Sequence, residues 1–260
     1  MATVINTNMA SIYAQNNLSA AQGKLSTSVQ RLSSGLRINS AKDDSAGLAI
    51  SMNMQSQIYG IEQANRNLSD VIGMAQVTET ALGTIQDMLL RLKSLGTQAG
   101  NAALSSGQKA QITTEADAIV AQISLTKLEA VYNGISLVGS TTGTAYAVQS
   151  GVSTTTTINF TTANAAITTT SSTYGAVDTD LLNISSERAK MGAMISRATY
   201  SAQNLQAQSA NLTQARSAIV DTDFASETAA LTKGQIMQQA STAMLAQANQ
   251  MPNVILSLLK

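Results

Sequence analysis

Asp43 and Asp44 stand side by side in "SSGLRINSAKDDSAGLAI", residues 33–50, with Lys42 before them and Arg37 upstream. Carboxylates near cations are the raw material of general acid–base catalysis, which needs both groups to converge on one substrate. Adjacent residues point to diverging sides of any regular element, so this pair does not converge. Nothing else in the chain rescues that chemistry. With no His and no Cys, the chain has no imidazole base, no thiol nucleophile and none of the usual zinc sites. A His-Glu-x-x-His metalloprotease motif is impossible for the same reason. The stretch therefore does not read as an active site, and a joint that neighbouring subunits recognise is the other reason its charges allow. Ser40 or one of the two Asp caps the next helix, and Gly35 lets the chain leave the preceding one.

Composition supports contact over catalysis. Charged residues make up 12% of the 260, about half the usual share. Ser, Thr, Asn and Gln take their place, which suits faces destined for burial, where an unpaired charge costs more than an amide or hydroxyl. Fifteen basic residues balance fifteen acidic ones with no basic block, which argues against nucleic acid or a membrane as partner. No cofactor is implied. "MATVINTNMASIYAQNN" lacks the cationic start and apolar block of a secretory signal. No run of about 18 apolar residues offers a membrane span. On these facts alone the chain reads as cytoplasmic.

The elements that must position the joint are long helices. Ala14, Leu18, Ala21, Leu25, Ser28 and Leu32 alternate spacings of four and three, a heptad seam. Ile61, Ala64, Leu68, Val71, Ala75, Thr78, Leu82, Ile85, Leu89 and Leu92 continue the pattern further along. A shorter helix at Ile112, Ala116, Ile119 and Ile123 folds back after the turn-forming "AGNAALSSGQ". Residues 138–173 are Ser/Thr/Gly-rich, with the β-branched "VSTTTTINF" and, just upstream, the Asn133-Gly134 turn signal. They predict a small β-region with one hairpin, a disordered linker being the alternative. Helical spacing returns at Met191, Ile195, Ala198, Ala202, Leu205, Ser209, Leu212, Arg216 and Ile219. After a break, where Asp221 or Asp223 caps a fresh helix, it runs through Met237, Ser241, Met244, Ala248, Met251, Ile255 and Leu258. The fold class is mainly α, with long antiparallel coiled-coil helices from both chain ends and a small β-hairpin region between. Isolated seams without partners are marginal in water, so both termini are expected to be largely disordered in the monomer.

Two of these stretches closely resemble a known family. "VQRLSSGLRINSAKDDSAGLAI" resembles the N-terminal motif of bacterial flagellins, and "QIMQQASTAMLAQANQMPNVILSLLK" their C-terminal motif. "YNGISLV" and "TQARSAIVDTDFASET" match in order between them. The resemblance implies a subunit that polymerises with itself into the flagellar filament, the propeller of swimming. It implies export, unfolded and without a cleaved signal, through the flagellum's own type III channel. The protein is then placed outside the cell, which overturns the cytoplasmic reading. It further implies an inner domain of paired ends over 1–40 and 222–260 and a helical shell domain over 41–137 and 178–221. Residues 138–177 complete the shell as its β-hairpin region, leaving no room for a bulky outer domain.

Site residues carry over in three groups. Arg31, Leu32, Ser34, Gly35, Leu36, Arg37, Asn39, Lys42, Asp43 and Asp44 form the subunit-assembly joint. Met237, Met244, Ala248, Met251, Ile255 and Leu258 line the terminal assembly helix. Arg91, Leu95, Gln98 and Glu115 match the segment through which some flagellins contact Toll-like receptor 5, although Leu90 and Ser94 depart from it. A flagellar secretion chaperone, the filament cap and hook-junction proteins are the other partners implied. A hook–filament junction protein, or another secreted coiled-coil adhesion protein, is the alternative.

Overall fold

The computed structural model describes residues 7–139, 143–151, 156–170 and 174–258. The helices are α1 (Met9–Ser34), α2 (Ser45–Ala99), α3 (Ser106–Glu129), α4 (Val177–Val220) and α5 (Phe224–Leu258). Between α3 and α4 lie the short strands β1 (Val131–Tyr132), β2 (Ile135–Ser136), β3 (Val138–Gly139), β4 (Ala145–Gln149), β5 (Thr157–Thr161) and β6 (Ala163–Asn164). The mainly α architecture with a small β centre agrees with the reading from sequence. The chain divides into two compact units, one of residues 1–56 and 212–260, the other of 57–211.

In the first unit α1 and α5 run antiparallel. Asn8 caps α1 by accepting the Ser11 N–H at 3.1 Å, and its own amide donates to the Ala248 carbonyl at 2.7 Å on the opposite chain end. At the other end of the pair Arg31 meets Glu227 at 3.6 Å. The residues buried along the seam are small: Ala14, Ala21 and Ser28 on α1, with Gly234, Ser241 and Ala248 on α5. Each set repeats every seven residues, the heptad expected from the spacing. One detail differs from the expectation. Leu18, Leu25 and Leu32 are only half-buried, and Met237, Met244 and Met251 are exposed. Two helices alone touch along a single line. Small side chains occupy that line, where they allow close approach, and larger ones flank it with one side open.

The second unit has the larger core. All ten α2 positions named from the spacing, Ile61 to Leu92, are buried. Ser105 and Gln108 form a capping box that starts α3, which presents Ile112, Ala116 and Ile123 inward. From α4 come Ile184, Met191, Ala198 and Leu205. The Arg188 guanidinium on α4 donates to Glu79 and, at 2.6 Å, to Gln86, both on α2.

The β-region is folded wherever it is described, against the linker alternative. Asn133 and Gly134, with φ of 49° and 78°, make the tight turn of the β1–β2 hairpin. Strands β4 and β5 pair antiparallel as a second hairpin, and β3 pairs parallel with β6. Ile158 and Phe160 on β5 point inward while Thr157, Asn159 and Thr161 are exposed, the alternation of a half-buried strand. Residues 152–155 of "VSTTTTINF" lie outside the described residues. The fully buried Asp180 carboxylate, in the first turn of α4, accepts the backbone N–H and the hydroxyl of both Thr168 and Thr169. Nearby, burial lowers the Lys127 ammonium's pKa, the Asp180 charge opposes this, and the ammonium donates to the Ala165 carbonyl at 2.8 Å.

Candidate assembly site

Every residue of the joint lies in the first unit, and its geometry explains the unusual composition of residues 33–50. Helix α1 ends because Gly35 takes a left-handed conformation (φ 71°) and returns its N–H to the Arg31 carbonyl at 2.8 Å. Ser34 closes the exit, its hydroxyl accepting the Leu36 N–H at 3.2 Å. The chain then lies against the far end of α4. Arg37 N–H donates to the Val220 carbonyl at 2.6 Å, and Thr222 N–H to the Gly35 carbonyl at 3.0 Å. Leu36 and Asp221 form an antiparallel bridge between them. The Arg37 guanidinium extends this stitch to the Ile219 carbonyl. Residues about 180 positions apart in sequence are thus tied by main chain.

The two Asp divide the capping work. Asp43 accepts from Asn39 N–H (3.1 Å), Ser40 N–H (2.9 Å) and Ser40 hydroxyl (3.1 Å), closing the loop ahead of α2. Those bonds, from the Ser40 backbone first, hold its carboxyl below the usual range. Asp44 caps α2 by accepting the Gly47 N–H at 2.9 Å. Gly47 is there for want of room: a Cβ would sit 2.5 Å from Asp44 Oδ2 and 2.8 Å from the buried Ile38. The expectation that an Asp caps the helix therefore holds, with Asp44 in that role and Ser40 serving as a donor to Asp43. Lys42 is exposed and pairs with no described residue. Asp223 caps α5, accepting the Ala225 N–H at 2.9 Å, and Glu227 stands in that helix's first turn.

Beyond Lys24 and Lys233, the terminal helix pair is bare of charge. No residue in 1–23 or 234–259 is Lys, Arg, Asp or Glu. Lys24, Lys233, Arg31 and Glu227 border a groove of about 660 Å³ between α1 and α5. Further out, a second groove of about 410 Å³ is lined by Tyr13, Met237, Met244 and Met251 with small residues between. The side chains of Ile255 and Leu258 lie outside the described residues. Reading the sequence for motifs overlooked this charge-free zone, although it is visible as a simple gap in the positions of Lys, Arg, Asp and Glu. Gly47 was overlooked too. Its only signal is the i, i+3 spacing from Asp44.

The third group lies in the second unit. Arg91 Nε and a terminal guanidinium nitrogen donate to Glu115 Oε1 at 2.9 and 2.6 Å, an exposed ion pair between α2 and α3. Gln98 is exposed on the same helix. Leu95 is not available as a contact: it is buried in the core beside Leu92, because its spacing places it on the apolar stripe of α2.

Long paired termini joined through a capped, main-chain-stitched elbow, with a small β-region at mid-chain, define a helical protein built from its two chain ends. Comparison with known families names it. Residues 5–144 match the bacterial flagellin N-terminal helical region and residues 174–259 the bacterial flagellin C-terminal helical region, so the chain belongs to the flagellin family. It is 32% identical to Flagellin FlaB1 of Treponema pallidum (strain Nichols), covering 99% of this chain and 100% of that one. It is 35% identical to a flagellin of Halalkalibacterium halodurans, again over 99% and 100%. A crystal structure of Bacillus cereus flagellin aligns over 64% of this chain and 94% of that one, with 19% identity and a TM-score of 0.42.

Proposed function

We propose that this flagellin is a structural subunit of the bacterial flagellar filament and serves motility by polymerising with copies of itself. Membership of the family at both chain ends carries the reading, and the charge-free outer stretch of the terminal helix pair is the local feature that fits it. A lone pair that leaves Met and Tyr exposed beside a narrow seam is stabilised when other copies cover it, since apolar area removed from water contributes about 25 cal/mol per Å². The inner, paired-end domain, 1–40 and 222–260, falls within the first unit, and the helical shell takes in the second unit with its β-hairpins together with 41–56 and 212–221. Lys42, which pairs with no described residue of the single chain, reaches an acidic or carbonyl group on a neighbouring copy. The subunit works outside the cell after unfolded export, with a secretion chaperone, the cap and the hook-junction proteins as successive partners. Contact with Toll-like receptor 5 falls to Arg91, Glu115 and Gln98, and Leu95 only supports the helix that carries them. Arg91→Ala is expected to lower the signal in a receptor reporter cell assay, and a silent wild type rejects the contact.

The deciding experiment is electron microscopy of purified protein with and without short filament seeds, beside a chain ending at Ile219. Helical filaments from the full chain only are expected. A stable helical monomer that never polymerises would point to the junction or adhesion alternative.

A further inference from the structure

The chain has no Cys and eleven Met, so thioethers are its only sulfur. Three of them, Met237, Met244 and Met251, recur every seven residues on α5 and are 47%, 65% and 54% exposed. They share one groove with Tyr13, and none of the residues lining it carries a charge. The buried α5 positions are Gly234, Ser241 and Ala248, and these Met flank them with about half or more of each left open. Their exposure in the single chain is a surface waiting for a second copy, an argument that rests on the filament reading above.

We propose that this Met row is an oxidation site that decides whether a subunit can join the filament. In the free subunit each thioether sulfur takes one oxygen from a peroxide. The S–O bond forms as the O–O bond breaks, the sulfur loses two electrons, and the peroxide is reduced to water or an alcohol. The sulfoxide is polar and chiral, and the groove is lined mostly by Ala and Met, with Tyr13, Asn17, Ser241 and Gln247 as the side-chain donors in its lining. Burying it against a neighbour leaves an acceptor without a partner, which opposes docking. Once a subunit is in place, the same burial shields the three sulfurs. The free subunit is therefore the vulnerable species and the filament the protected one.

The test treats purified full-length subunit with hydrogen peroxide, maps one-oxygen mass gains by peptide mass spectrometry, and measures seeded polymerisation. Oxidation at Met237, Met244 and Met251 is expected to raise the critical concentration about tenfold or more, three unsatisfied acceptors being more than enough for that. Treatment with methionine sulfoxide reductases should restore it. Preformed filaments under the same peroxide should gain oxygen at these positions about tenfold more slowly. A Met237→Leu, Met244→Leu, Met251→Leu variant should keep polymerising after peroxide. Oxidised wild type that assembles at the untreated critical concentration overturns this inference alone, as does equal oxidation of free subunit and filament. Untreated wild type that never assembles overturns the filament reading and this inference together.

Discussion

Asp43 draws three hydrogen bonds from two residues, and its carboxyl is held below the usual range by them. The sign follows from linkage: a depressed carboxylate stabilises the fold above its unfolded pKa, and that stabilisation is lost as pH falls through the lowered folded value. The joint is therefore expected to stay closed at neutral pH and to loosen only below about pH 4. Amide exchange of Asn39 and Ser40 measured from pH 6 down to 3 checks this, and Asp43→Asn should show the loosened behaviour throughout. Gly47 offers a steric counterpart. Gly47→Ala pushes a methyl against the Asp44 carboxylate and Ile38, so the cap or the core must shift, at about 1–3 kcal/mol. Thermal unfolding by circular dichroism reads the loss.

Elements depend on whole faces, and α2 in the second unit has the most complete one. Its buried row was legible because ten positions repeat without interruption over more than thirty residues, far longer than chance spacing. Leu82→Ala, at a position with no exposure, is expected to cost about 2–5 kcal/mol in chemical denaturation. The clamp on α4 was not legible. Asp180 reads as an ordinary acid near a helix start, and Thr168 and Thr169 as two more Thr in a Thr-rich run. Only folding brings them together, and the buried carboxylate then needs all four of its donors. Asp180→Ala is expected to lower stability by about 2–3 kcal/mol, the worth of charged-group hydrogen bonds, and to free residues 165–170 for proteolysis.

At the scale of the whole molecule, small terms matter because each recurs at every subunit of a polymer. Arg37 ties the joint to the Ile219 carbonyl at an exposed position, so Arg37→Ala should leave the second unit's unfolding unchanged. The same substitution should raise the critical concentration for polymerisation, and an unchanged value beside wild type would remove Arg37 from the joint's role. The terminal pair makes a parallel case: its seam is of Ala, Ser and Gly, and its large side chains face outward. Helix content by circular dichroism is expected to be higher in the filament than in the free subunit.

Heptad spacing, the Asn-Gly turn and the motifs at opposite ends are all local facts, and from them the sequence determined the fold class and the family. They are legible because helix and hairpin geometry repeat on short, regular periods that leave a mark along the chain. What the tertiary structure decided were the choices between neighbours: which Asp caps which turn, that small residues are buried along the α1–α5 seam while its Leu stay half-buried, that Leu95 belongs to the core, and that Arg37 reaches Ile219. Each of these depends on how closely two segments distant in sequence approach, and spacing along one segment carries no record of that distance.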